Sequence, residues 1–240
     1  VVAGPTAGGK SALAMALAGR LGGTIVNADS QQLYRDLRIL TARPSPEDEA
    51  AAPHRLYGVL AAREVGSAER WRQMAVAEIQ AARTRGSIPI LVGGTGLYLR
   101  ALVQGLAAVP DIPEAVRDEG RELHRSMGGA AFHALLATRD PEAAERLAPG
   151  DSQRLVRAWE VVTATGRTLG DWQRAAAAPA DAPRVAAIFV MPSRLALQPL
   201  IAARFRAMVA GGALGEVERL LADGLGPDLP VMKAVGVPEL

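Results

Sequence analysis

Eight residues near the start of the chain, Gly4-Pro5-Thr6-Ala7-Gly8-Gly9-Lys10-Ser11, match the spacing G-x-x-x-x-G-K-[ST] of a phosphate-binding loop. Each residue type has its own reason to be there. Gly4, Gly8 and Gly9 let the backbone turn where a Cβ would block it, so that successive N–H groups can converge on one anion. A helix opening at Ser11 adds unpaired N-terminal N–H groups and the positive end of its dipole. Lys10 supplies a full positive charge, and the Ser11 hydroxyl suits a Mg²⁺ ion carried in with a polyphosphate. A hydrogen bond to a charged group contributes about 1.5–3 kcal/mol, so several of them hold a diphosphate. The loop alone leaves open which phosphate ester that is.

A phosphoryl-transfer enzyme built on such a loop normally has a second carboxylate at the end of an apolar strand, where it holds Mg²⁺. Here the apolar strand Ile88 to Val92 runs into Gly93-Gly94-Thr95, and a later one ends in Met191-Pro192. Only the strand Thr24 to Asn27 delivers a carboxylate, Asp29. Asp29 can serve as a ligand to metal-bound water or as a general base; capping a short helix at Gln31 is its structural alternative. Thr95, flanked by glycines, can hydrogen-bond a leaving diphosphate or the nucleophile, or simply close a turn. Gln153, Arg154 and Arg157 fall near one helix face. Fixed Arg forks suit a phosphate backbone, although a solvated face explains the same spacing. Arg35, Arg38, Arg43 and Arg55 form a second basic group with the same two readings. His54, His124 and His133 have no metal-ligand spacing, and Trp71, Trp159 and Trp172 fall on expected helices, where core packing suits them.

The elements that must position these residues are legible in the hydrophobic pattern. Val1-Val2-Ala3 is a strand leading into the loop, and Ser11 to Leu21 has a helical stripe at Leu13, Ala14, Leu17, Ala18 and Leu21, closed by Gly22-Gly23. Asp29 and Ser30 sit at the carboxyl end of the second strand, the edge where open α/β sheets bind ligands. Gln31 to Leu40 starts as a short helix, Thr41 to Pro53 reads as loop, and Ser67 caps a helix from about Ala68 to Arg85. Ile88 to Val92 is a buried strand, followed by a helix to Gln104. Strand–helix alternation of this kind implies a parallel sheet. From Asp111 to Pro183 the pattern is helical, with segments at Pro113–Met127, Ala130–Thr138, Pro141–Leu147, Ser152–Thr165 and Leu169–Ala178, and a linker from Ala175. Strand character returns at Val185–Met191, and Ser193 caps a long helix through Val209. The expected fold class is α/β: a P-loop NTPase-like parallel sheet flanked by helices. The core comprises residues 1–110 and 184–240, interrupted by an all-helical insertion at 111–183.

Composition narrows the class further. Hydrophobic residues are 49% of the chain, enough for a sizeable core, and the formal charge of +2 argues for no partner by itself. Arginine supplies nearly all the positive charge; lysine occurs only at Lys10 and Lys233, which makes those two more pointed. Cysteine is absent, which excludes disulfides, thiolate metal sites and a thiol nucleophile. No apolar run reaches membrane-spanning length and no signal peptide is visible. Val1 stands inside the first strand, so further residues are expected before it.

Six stretches in this order and spacing resemble the bacterial tRNA dimethylallyltransferase family: Gly4–Ser11, Asn27–Tyr34, Thr41–Pro44, Pro53–Leu56, Leu91–Tyr98 and Asp151–Ala158. The resemblance covers nearly the whole chain, and Gly93-Gly94-Thr95 stands where a kinase needs its strand-end carboxylate. It implies a transferase that moves the dimethylallyl group of dimethylallyl diphosphate to N6 of the adenosine immediately 3′ of the anticodon in tRNA. It implies Asp29 as general base and Thr95 as transition-state stabiliser. Gly4, Pro5, Thr6, Ala7, Gly8, Gly9, Lys10, Ser11 and Arg204 would hold the prenyl donor, with Mg²⁺ at Ser11. The anticodon stem-loop would be bound by Asp29, Ser30, Gln31, Gln32, Thr95, Arg117, Gln153, Arg154, Leu155, Val156, Arg157 and Lys233, with the helical insertion clasping the tRNA. The chain departs from the family after Gly236: Val237-Pro238 replace a Tyr and a basic or polar residue, so a weaker contact is expected there. Relatives also continue with more helix beyond this point.

Other readings make different demands. A prenyltransferase for free adenine nucleotides needs no helical arm. A small-molecule kinase needs the missing strand-end carboxylate. An RNA-binding module with a vestigial loop has no use for intact Lys10, Ser11, Asp29 and Thr95. The expectation is a cytoplasmic monomer with no membrane association.

Overall fold

The computed structural model describes residues 1–176 and 179–240. The expected linker from Ala175 to Pro183 includes the two residues outside that description. The chain divides into two compact units, Val1–Gln104 with Pro179–Leu240, and Gly105–Ala178. Both junctions lie earlier in the chain than residues 110 and 183. The first follows from backbone geometry: a helix ends at Gln104 and Gly105 turns the chain away with φ 80°.

The first unit is built on a five-stranded sheet, all of whose pairings are parallel. Its strands are β1 (Val2–Ala3), β2 (Gly23–Asn27), β3 (His54–Arg55), β4 (Ile88–Gly93) and β5 (Ile188–Phe189), in the spatial order β3-β2-β4-β1-β5. Side chains alternate across the sheet, so neighbouring apolar residues feed opposite faces. Ile25, Ile90 and Val92 pack with Val2 against Ala14 and Ala18 of α1 (Lys10–Leu21). Within the same unit, α2 (Pro46–Ala51) lies inside the stretch expected to be loop, held by a capping box between Ser45 and Asp48 with Pro46 in its first turn. Val26 and Leu91 pack on the other face of the sheet with Trp71, Ala75 and Ile79 of α3 (Ala68–Thr84) and Tyr98 and Leu102 of α4 (Gly96–Gln104). With both faces covered, all five residues of β2 are buried, including Thr24 and Asn27.

The second unit has its own core. α5 (Glu114–Ala137) breaks at Gly128, where φ is 77°. α6 (Pro141–Arg146) packs beside it, and α7 (Ser152–Thr165) approaches it closely at Gly120, whose place a Cβ could not fill without coming within 2.9 Å of the Trp159 ring. Phe132, Leu136, Leu155, Ala158 and Trp159 form the centre, and α6 adds Ala143. α8 (Leu169–Ala175) completes the unit with a Thr168–Asp171 capping box.

Where the chain returns to the first unit, the strand β5 is only two residues long, and both are exposed. The long helix α9 (Arg194–Ala210) starts at its Ser193 cap as expected. A further helix with no forecast in the sequence pattern, α10 (Ala213–Ala222), buries Ala213, Glu216, Val217 and Leu220. No helix among the described residues is long and apolar enough to cross a membrane.

Candidate active site

Three strands that lie side by side and parallel bring their carboxyl ends to one sheet edge. The register sets Asn27 of β2 beside Val92 of β4, and Ala3 of β1 beside Gly93. The residues just past each strand therefore meet there: Asp29 after β2, Thr95 after β4 and the Gly4–Ser11 loop after β1. The approach is close. A Cβ on Gly93 would lie 2.1 Å from the carbonyl of Ala28, and one on Gly4 would lie 2.2 Å from the carbonyl oxygen of Val190. Any larger residue at either place would push the strand ends apart.

The loop itself takes left-handed φ at Ala7 and Gly9, and α1 begins without a side-chain cap. Its first N–H groups are therefore left for an anion. The Lys10 ammonium folds back to donate to the Pro5 carbonyl at 2.6 Å. Burial holds Lys10 below the ordinary lysine value; the charge of Asp29 opposes that shift and the charge of Arg204 adds to it. Both groups thus bear on the same ammonium.

Asp29 sits in a turn closed on both sides. Its N–H donates to Asn27 Oδ1 at 2.8 Å, and its Oδ1 accepts the Gln31 N–H at 3.0 Å. Gln31–Leu33 is one short 3₁₀ turn whose N-cap residue is Ser30, so the Asp29 oxygen holds the first N–H of that turn from one residue before the cap. Thr95 is tied to the same turn: its hydroxyl accepts the Ser30 N–H at 3.0 Å and faces Ser30 Oγ at 3.3 Å, while its own N–H donates to the Ala28 carbonyl at 3.2 Å.

These residues line a cleft of about 530 Å³ whose walls include Gly4, Pro5, Thr6, Lys10, Ser11, Asp29, Ser30, Gln31, Gln32, Thr95 and Arg204. Ala7, Gly8 and Gly9 complete the loop outside that lining. Of the other wall, sequence reasoning named Arg204 and the stretch from Lys233 to Pro238 and missed the rest. That wall is the α9 stripe Ile201, Arg204, Phe205 and Met208, with Leu40, Val235 and Gly236. The spacing of that stripe, i, i+3, i+4, i+7, is a readable signal. A second cavity of about 420 Å³ shares Ser11, Gln32, Val92 and Arg204 with the first and reaches Arg43, His54 and Tyr57. Burial pushes the Tyr57 phenol far above its ordinary value, and the charge of Asp29 adds to that, so Tyr57 stays neutral.

Several expected RNA-facing residues have other work in the structure. Leu155 is fully buried in the core of the helical unit, and the half-buried Val156 packs against that core; the helix period turns Leu155 away from solvent. Leu155 is therefore a packing residue rather than a contact. Gln153 and Arg154 are exposed on α7, Arg154 pairing with Asp151 at 3.7 Å, and Arg157 donates to the nearly buried Glu160 at 3.2 Å. Arg117 lies on α5 with its Nε buried and without a partner among the described residues. Gln32 spends its amide on the carbonyls of Thr41 and Ala42 at 2.8 and 3.0 Å. Lys233 lies outside the cleft lining and pairs with Asp228 at 3.5 Å.

Residues 32–240 match the family described as IPP transferase. The tRNA dimethylallyltransferase of Rhodospirillum centenum is 58% identical, the match covering 100% of this chain and 77% of that protein. The tRNA dimethylallyltransferase of Gluconacetobacter diazotrophicus is 59% identical over 100% of this chain and 72% of its own length. Among solved structures, the full-length tRNA isopentenylpyrophosphate transferase of Bacillus halodurans superposes with a TM-score of 0.65 at 31% identity, covering 99% of this chain and 74% of that one. A eukaryotic dimethylallyltransferase acting on tRNA superposes with a TM-score of 0.71 at 25% identity, covering 92% of this chain and 55% of that one.

Proposed function

The chain belongs to the IPP transferase family, and on that premise we propose that it carries the dimethylallyl group from dimethylallyl diphosphate to N6 of the adenosine immediately 3′ of a tRNA anticodon. The observation that carries this reading is the meeting, in one cleft, of the cationic loop after β1 with the Asp29 carboxylate after β2 and Thr95 after β4. A leaving diphosphate needs the first, and an amine that must lose a proton needs the second.

The chemistry is a substitution at the allylic carbon. The N6 lone pair forms the new C–N bond as the C–O bond to diphosphate breaks, and the diphosphate departs with that electron pair. An exocyclic amine is a poor nucleophile because its lone pair is shared with the ring, so the site's task is to orient it, take its proton and stabilise the leaving charge. Asp29 takes the proton; its capped Oδ1 holds the carboxylate in place. Lys10, Arg204 and the first N–H groups of α1 receive the developing charge on the diphosphate. Thr95 keeps the Asp29 turn in register and presents its hydroxyl at the cleft wall.

A Mg²⁺ ion fits the Ser11 hydroxyl at the cleft wall, because Mg²⁺ takes oxygen ligands and relies on substrate phosphates and water with few protein groups. Ser11 would hold it, and when bound it neutralises charge on the leaving diphosphate. The reaction is carried out by a monomer in the cytoplasm. The adenosine must leave its stack, which costs a few kcal/mol, and the helical unit supplies RNA contacts through Gln153, Arg154 and Arg157.

Labelled dimethylallyl diphosphate, Mg²⁺ and either an anticodon stem-loop or free AMP test the reading directly. Label on the stem-loop alone is expected. Label on AMP would reassign the acceptor, and ATP hydrolysis without any transfer would overturn the reaction. Replacing both Arg154 and Arg157 by Ala is expected to weaken stem-loop binding and to flatten its salt dependence by about 0.7–0.9 in log–log slope per lost phosphate contact. An unaltered slope would leave that face solvated only.

A further inference from the structure

Asn27 is the last residue of β2 and is completely buried. Its amide has two N–H donors and one carbonyl acceptor, and all three functions are used. Nδ2 donates to the carbonyl of Asp29 at 2.9 Å and to that of Leu56 at 3.0 Å. Oδ1 accepts the Asp29 N–H at 2.8 Å. The side chain thus grips the backbone of Asp29 on both sides and anchors it to the segment just past β3.

Its main chain is held as well. The Asn27 carbonyl accepts the indole N–H of Trp71 at 2.7 Å. Trp71 is itself fully buried and stacks on Tyr98, with ring centroids 4.7 Å apart and planes 13° apart. Tyr98 stands in the first turn of α4, the helix that starts directly after Thr95. One buried chain of contacts therefore runs from the element beside Thr95 through Trp71 and Asn27 to Asp29. A buried amide with every polar atom satisfied is rigid, because any rotation would strand donors or acceptors without water.

We propose that Asn27 is a positioning residue that sets the geometry of the Asp29 carboxylate for proton removal, with the Trp71 indole N–H fixing Asn27 in turn. The inference deepens the assignment of Asp29 as the base and rests on it. Asn27 lies outside the cleft lining, so its effect belongs to the chemical step and passes entirely through Asp29.

Asn27→Asp tests this with little change of shape. It keeps an acceptor for the Asp29 N–H and replaces two donors by a second oxygen facing two carbonyls. Single-turnover transfer to the stem-loop is expected to fall about 10- to 100-fold, the scale of a misplaced catalytic group, with KM for both substrates unchanged. Trp71→Phe keeps the aromatic stack and removes only the indole donor. It is expected to slow the same step by about 3- to 10-fold, as one lost hydrogen bond does, and it decides the matter if Asn27→Asp fails to fold. In an Asp29→Ala background both substitutions are expected to have no further effect on the rate, which a merely structural role would not produce. Full multiplicative losses in that background, or unchanged rates for both single variants beside a disabled Asp29→Ala, would overturn the positioning role while leaving Asp29 as base. A fully active Asp29→Ala would instead overturn the assignment on which it rests.

Discussion

The two walls of the cleft are built on opposite principles. The strand-end wall is backed by buried residues whose polar atoms are paired. Asn27 clamps the Asp29 turn, Thr95 bonds Ser30, and Gly93 lets β4 come within contact of Ala28. The α9 wall carries Arg204 on a helix with no buried residue at all, and it leaves Phe205 46% exposed. The difference matches the role proposed for each wall. A proton can be taken only over hydrogen-bond distance, so the base must be fixed to a fraction of an ångström. A charge on a leaving diphosphate is felt over a longer range, and a cation on a less constrained helix serves it.

The contrast can be broken most sharply at Asp29. Replacing it by Ala is expected to lower single-turnover transfer by about 10²- to 10⁴-fold, the usual contribution of a general base, while stem-loop affinity is retained. A loss confined to affinity would move Asp29 from chemistry to binding. Lys10→Ala comes next, with a fall of about 10²- to 10³-fold if its charge acts on the transition state. Because burial depresses the Lys10 ammonium, it discharges earlier than an ordinary lysine as pH rises. Donor KM is therefore expected to climb on the alkaline side, and Lys10→Arg, which does not discharge, is expected to remove that climb. Arg204→Ala should raise donor KM by about 10- to 100-fold, one charged hydrogen bond's worth, with a smaller change in the chemical step; an equal loss in both would make the α9 wall as exacting as the other. The smallest effects concern stability. Thermal or denaturant unfolding is expected to show Gly93→Ala costing about 1–3 kcal/mol through overpacking, whereas Ile201→Ser on the exposed α9 wall stays within about 0.5 kcal/mol. Comparable costs would erase the distinction between the walls.

Much of the strand-end wall is readable from residue types. The glycine-rich loop, the apolar run ending in Asn27-Ala28-Asp29 and the glycines around Thr95 each state a local requirement. The α9 wall is legible only in part, since Ile201, Phe205 and Met208 follow a helical period without any sign of what they face. α2 is hidden in the sequence because prolines at 44, 46 and 53 outweigh the capping signal of Ser45 and Asp48. Leu155 goes the other way: a stretch that resembles an RNA-facing motif carries, on the inner side of its helix, a residue with no exposure. Glu216 gives no signal at all, yet its carboxylate accepts the N–H groups of Arg38, Ile39 and Leu40 at 2.9–3.0 Å and so fixes the segment that brings Leu40 and Thr41 to the cleft.

Residue types and their spacing set the chemistry available and the elements that carry it, because loop geometry, strand burial and helix period depend on residues close together in the chain. Which of those residues meet is settled by the packing of the strands. The order β2-β4-β1 brings three strand ends to one edge, and the buried amide of Asn27, far from Leu56 and Trp71 in sequence, becomes the clamp on Asp29. That outcome depends on parallel pairing and on satisfying every polar group shut away from water, conditions that no short stretch of residues can express.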